Sequence, residues 1–201
     1  MSFVKLPAVT LGIVLAASAA FAADTYKVDP AHTTVGFSIS HLVINTVHGR
    51  FKDVAGSVTI DPDKSNAVVE ANAILQTKSI DTGVTQRDTH LKSPDFFDAE
   101  KFPTITFASK RVENQGGQQM LVGDFTMHGV TREISLPVKI KGPITAMGGQ
   151  RIGVEAMGSL NRKEYGLTWN RALEAGGVMV GEDVAIEINA EAVKTQPAST
   201  K

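Results

Sequence analysis

This chain predicts an all-β fold: an eight-stranded antiparallel up-and-down barrel with a short helical segment between strands 3 and 4. Three observations carry the prediction. Apolar residues recur with period two over eight separate runs, the runs are joined mostly by short turn-rich links, and a single interval has helical character. An open sheet of eight strands would leave two unpaired edges, and neither the first nor the last run is defended by proline or inward charge. Closure removes both edges, with a two-sheet sandwich as the alternative.

Ahead of the strands, residues 1–22 read as a signal peptide. Lys5 precedes the apolar stretch Leu6 to Ala17, and small residues at Ala20 and Ala22 fit a peptidase that cuts before Ala23. The stretch is shorter than the ~20 residues a bilayer span needs. An uncleaved anchor is the competing reading. Residues 23–201, about 179 positions, suffice for a single barrel domain with a substantial core. The expected location is periplasmic.

The first run alternates Val35, Phe37 and Ile39 with Gly36, Ser38 and Ser40. Val54, Gly56, Val58 and Ile60 form the second, ended by the turn residues Asp61-Pro62-Asp63. Val69, Ala71, Ala73 and Leu75 are expected on one face of the third, and Ile105 and Phe107 on one face of the fourth. Asn114 to Gly117 turns the chain into Leu121, Gly123, Phe125 and Met127. A corner at His128-Gly129 leads to Ile134, Leu136, Val138 and Ile140. Ile152, Val154, Ala156, Gly158 and Leu160 make the seventh run; Val184, Ile186, Ile188, Ala190 and Ala192 make the last.

Between the third and fourth runs, Val84 to Lys92 is polar and lacks an apolar face. Ser93-Pro94 reads as an N-cap followed by proline in a first helical turn that contains Phe96 and Phe97, stopped by Pro103. A second long connection, Asn161 to Gly181, holds Tyr165 and the lone tryptophan, Trp169.

Composition excludes several functions. With 20 basic and 21 acidic residues and no basic block, nucleic acid is not an expected partner. Without cysteine there is no disulfide and no thiolate metal site. His32, His41, His48, His90 and His128 form no metal-binding spacing, so no metal is assigned. No nucleophile elbow or phosphate-cradling loop is present, and no catalytic residue is assigned.

The interior decides the function. An eight-stranded barrel is either filled by its own side chains or holds one small ligand. Gly56, Ala71, Ala73, Gly123, Ala156, Gly158, Ala190 and Ala192 are small inward positions. They leave room for an apolar chain, or they mark places where strands pack tightly; the pattern alone leaves both open.

Several segments resemble the YceI-like proteins. They include Tyr26-Lys27-Val28-Asp29-Pro30-Ala31-His32, then Val35-Gly36-Phe37, His41-Leu42 and Gly49-Arg50-Phe51. The most specific are Ser79 to Gly83, Arg87 to Asp98, Lys101 to Phe107, and Gly123 to Arg132. The likeness runs from Tyr26 to about Val193. It implies a lipocalin-like barrel with a long apolar tunnel for an isoprenoid or similar long-chain amphiphile. No cofactor is implied beyond a bound isoprenoid or isoprenoid quinone as ligand. Phe125 and Met127 depart from the leucine and isoleucine usual there, which puts the tunnel's shape near that strand in question.

The expected tunnel residues are Val35, Phe37, Ile39, Ala71, Ala73, Ile105, Phe107, Phe125, Ile134, Leu136, Ala156 and Ile186. Arg87, Asp88, His90 and Trp169 are the candidate head-group rim, although an internal ion pair or helix-capping set that ties the segment to the barrel is the preferred reading of Arg87 and Asp88. The expected role is an exported carrier, store or scavenger of lipid. An enzyme acting on an isoprenoid through Arg87, Asp88 and His90 is one alternative. An interaction module for a membrane redox or stress-response partner is another, and a homodimer is compatible with each.

Overall fold

The computed structural model describes residues 23–195, except Asn66 and Ala175. The leader assigned to residues 1–22 lies outside the described residues. The elements are β1 (Asp24–His41), β2 (Asn45–Phe51), β3 (Val54–Asp61), β4 (Ala67–Gln76), β5 (Ile80–Asp81), α1 (Thr85–Lys92), β6 (Thr104–Gln115), β7 (Gln118–Met127), β8 (Val130–Ala146), β9 (Gly149–Asn161) and β10 (Val180–Lys194). All paired strands are antiparallel, in the order β10-β9-β8-β7-β6-β4-β3-β1, and β10 pairs back onto β1. The eight expected runs are those eight strands, closed in a ring.

Two further strands appear, and neither adds a position to the ring. β1 pairs first with β3 (Tyr26 opposite Val58) and then with β2 (Phe37 opposite Gly49). β2 therefore continues β3 along the same neighbour, broken at Lys52-Asp53. β5 continues β4 in the same way, with Ile80 opposite Phe51.

Inward alternation holds along most strands, with one correction. A bulge between Thr59 and Ile60 sets Val68, rather than Val69, opposite Ile60. Val68 is buried and Val69 faces solvent, because one extra residue reverses the facing of everything beyond it. Past the bulge, Ala71 and Leu75 turn inward as expected.

The helix is also placed differently. It covers the polar stretch Thr85–Lys92, and Ser93 ends it instead of starting one. The Ser93 hydroxyl donates to the His90 carbonyl at 2.8 Å, occupying one of the acceptors left free at a helix end. Leu91 is the apolar residue that α1 turns toward the core.

The turn between β1 and β2 is unusual. Leu42 and Val43 have φ of 54° and 64°, while the Ile44 amide donates to the His41 carbonyl at 3.3 Å. A left-handed pair is the hairpin geometry that Asn-Gly adopts with least strain. Large or β-branched residues there cost about 1–3 kcal/mol each.

Candidate functional site: the barrel interior

The two ends of the barrel differ. Where β1 begins and β10 finishes, Tyr26, Ile60, Ile152 and Ala192 are at most 1% exposed and fill the bore. The Tyr26 hydroxyl donates to Gln150 Oε1 at 3.1 Å, which gives this buried ring a polar partner. At the opposite end stand α1, the turn that follows it, and the connection from β9 to β10.

Between the base and that upper end lies a cavity of about 230 Å³. Its wall comes from every strand of the ring, and Leu91, Phe96 and Phe97 cover it from above. An apolar cavity of ~150 Å³ already stays dry and takes up a small hydrocarbon, so this larger one is suited to apolar matter.

Val35, Phe37, Ile39, Ala71, Ala73, Ile105, Phe107, Phe125, Ile134, Leu136, Ala156 and Ile186 all line the wall. The period-two reading therefore faces these twelve side chains inward. The small residues divide by type. Ala71, Ala73, Ala156 and Ala190 lie on the wall, where a larger side chain would take up space. Gly158 instead makes room for a neighbour, since a Cβ there would meet Leu136 Cδ2 at 2.4 Å. Gly56 and Gly123 are likewise off the wall, and Ala192 belongs to the sealed base. Phe125 and Met127 both reach the cavity, and the Phe125 ring meets buried Tyr165 edge to face, 5.5 Å between centroids.

The candidate rim residues fall into two groups. Asp88 Oδ1 accepts from the Thr82 amide at 2.9 Å and from its hydroxyl at 2.5 Å. Arg87 Nε donates to the Thr82 hydroxyl oxygen at 2.7 Å and Nη2 to the Thr82 carbonyl at 2.8 Å. Both side chains thus tie α1 to the end of β5. His90 turns elsewhere. Its Nε2 lies 2.8 Å from Asp95 Oδ2, and its ring meets Phe96 and Trp169 edge-on at 5.0 Å each. Phe96 reaches the cavity, so this aromatic trio connects wall to rim. Arg87 and Asp88 share Thr82 with each other and no partner with His90.

Sequence reasoning missed Arg162. It lies on the cavity wall, is only 3% exposed, and has no ion pair among the described residues. Its guanidinium donates to the carbonyls of Gly181 at 2.7 Å, Leu167 at 2.5 Å and Val180 at 3.5 Å. Burial lowers its pKa, with the charge of Glu182 acting in the opposite sense. These bonds clamp the turn Arg162–Tyr165 to the start of β10. Nothing in a lone arginine after a strand signals that role.

A second polar cluster sits where the pairing of β1 with β10 shifts register between Asp29 and Thr33. Asp29, His32 and Glu191 each bring a ligand-type atom within 4.8 Å of the others. Arg151 Nη1 already bridges the carboxylates, 3.1 Å from Asp29 and 2.5 Å from Glu191. The arginine supplies the positive charge that a cation would otherwise bring.

A closed antiparallel ring around an apolar cavity is the architecture of the lipocalin-like binding barrels. The chain belongs to the YceI-like family, whose model matches residues 26–192. A UPF0312 protein of Staphylococcus aureus strain USA300 is 37% identical over 171 residues, 83% of this chain and 95% of the relative. The YCEI protein of Campylobacter jejuni superposes with a TM-score of 0.67 at 31% identity, covering 84% of this chain and 96% of that one. A polyisoprenoid binding domain from Saccharophagus degradans superposes with a TM-score of 0.61 at 16% identity, covering 85% and 98%. At that identity the likeness concerns the fold.

Proposed function

We propose that this protein holds a polyisoprenoid or similar long-chain lipid in the barrel interior and acts as an exported carrier, store or scavenger. The apolar cavity, sealed at one end and capped by aromatic residues at the other, is the observation that carries the reading. Each methylene moved from water to such a wall contributes roughly 0.8 kcal/mol before ordering costs. The polyisoprenoid binding domain that shares the fold supports the same ligand class. The twelve wall residues predicted from sequence are the proposed contacts, with His90 and Trp169 at the rim. Export through a leader over residues 1–22 to the periplasm belongs to the same proposal.

A catalytic reading has less support, because Arg87 and Asp88 engage Thr82 while His90 engages Asp95 and Trp169. Solvent extraction of the freshly purified protein, followed by mass spectrometry, tests the binding reading. A long-chain lipid released in near-stoichiometric amount is the expected result. An extract without lipid, from protein that also fails to take up a polyprenol, overturns it.

A further inference from the structure

We infer that the tip of the β1–β2 hairpin docks the capped end of the barrel onto a lipid bilayer surface. The inference rests on the lipid-holding reading above and adds where the lipid enters and leaves.

The tip is apolar and unprotected. Val43 is 73% exposed and Ile44 is 86% exposed, in a turn whose two central residues are left-handed. A turn of this shape is least strained with Asn-Gly, and this chain has Leu42-Val43 instead. Leu42 is half-buried, but neither backbone preference nor burial within the barrel accounts for Val43 and its neighbour Ile44. An external apolar phase does, because the same side chains gain by leaving water.

The tip also stands at the cavity's end. The Leu42 amide donates to the Met179 carbonyl at 2.8 Å, and His41 pairs with Val180. Val180 and Ile39 both line the cavity. Val178, 37% exposed, adds a third branched aliphatic side chain on the connecting loop. Beyond it, Arg171 lies over the Trp169 ring at 5.8 Å. Exposed aliphatic side chains beside a tryptophan–arginine pair have the residue types found where hydrocarbon meets head group at a membrane surface.

A second copy of the chain fits this tip less well. Three protruding side chains bury far less than the ~1,200–2,000 Å² of a stable protein interface. A bilayer needs no shaped complement.

Flotation with vesicles of phosphatidylethanolamine and phosphatidylglycerol tests the inference, comparing the protein with a Val43→Asn, Ile44→Ser double variant. Cavity uptake is followed separately with cis-parinaric acid, a fluorescent fatty acid, and stability by thermal melting. We expect the unaltered protein to float with vesicles and the variant to bind at least about tenfold more weakly. Probe uptake should be equal, and the melting temperature equal or higher, since asparagine tolerates the left-handed region. Equal flotation of both proteins, or of neither, overturns docking even where the probe binds. A lower melting temperature in the variant marks the tip as a packing element and overturns it too. So does a dimer, seen by light scattering, that the variant dissolves. Failure of the unaltered protein to bind the probe counts against the cavity reading and not against docking.

Discussion

The Phe51 and Phe97 rings meet edge to face with centroids 5.9 Å apart, joining β2 to the turn that follows α1. Phe51 packs in turn against Phe37 at 5.8 Å, and all three rings line the cavity. Phe97 is therefore part of the cover. Such a ring pair contributes ~0.5–1.5 kcal/mol beyond its buried area. Phe97→Ala should speed lipid release by roughly tenfold, that being the effect of about 1.4 kcal/mol. Stopped-flow transfer of a fluorescent lipid to acceptor vesicles reads the rate, and an unchanged rate would mean that the lipid leaves by another path.

Filling the bore from Ala73 should exclude ligand without unfolding the barrel. Ala73 lies on the wall and contacts both halves of the core, so Phe at that position occupies empty space. Ala73→Phe should reduce lipid retention at least about tenfold, with stability changed by less than ~1.5 kcal/mol. Gly158→Leu should behave differently. Leu136 already occupies the space beside it, and overpacking costs about 1–3 kcal/mol. Lipid-binding titrations and urea melts on both variants separate the two effects.

Arg162→Met should destabilise the barrel by roughly 2–4 kcal/mol, because it strands buried carbonyls that the guanidinium now satisfies. Arg162→Lys should restore only part, since one ammonium cannot reproduce the planar fork. Urea denaturation measures both. A near-neutral methionine variant would show that other donors reach Gly181 and Leu167.

The Asp29–His32 pair sets a pH dependence. A hydrogen bond to Asp29, then the charges of Asp29 and Glu191, hold the His32 pKa above 6.5, against burial and Arg151. The same hydrogen bond, followed by that from Arg151, holds Asp29 below 3.8. The raised histidine contributes stability fully below its unfolded pKa and loses it as pH rises through the folded value. The depressed aspartate contributes above its unfolded pKa and loses it as pH falls through the folded one. Stability from this pair is thus greatest between the two, and His32→Gln should flatten the decline in melting temperature between about pH 6 and pH 8. A slope identical to that of the unaltered protein would assign the decline to other groups.

Much of this molecule was readable before its fold was described. Period two located all eight ring strands and faced the wall residues inward, because a barrel interior imposes strict alternation. β2 was hidden by Gly49, which breaks the apolar alternation of Val47 and Phe51. The fold explains the glycine: a Cβ there would sit 2.3 Å from Phe37 Cζ, so the ring needs that gap. β5, two residues long, carries no periodicity at all. Val69 was misfaced because a bulge leaves no mark in the order of residue types. The Ser93 reversal has a similar cause, since serine offers the same hydroxyl to either end of a helix. Arg162 was illegible because its partners are backbone carbonyls, which every residue possesses.

The seam between β1 and β10 has a consequence for how the molecule comes into being. Lys194 Nζ reaches Asp24 Oδ2 at 2.6 Å and the Thr195 amide donates to the Thr25 carbonyl at 2.8 Å, across 170 residues of sequence. A chain emerging in order must keep β1 waiting, half-bonded, until nearly everything else has been made. Until then the growing sheet has two raw borders and a greasy inner surface open to water. A version cut short before β10 would stay in that condition, ready to borrow the missing strand from another molecule. The last segment to arrive is the one that turns a sticky sheet into a vessel.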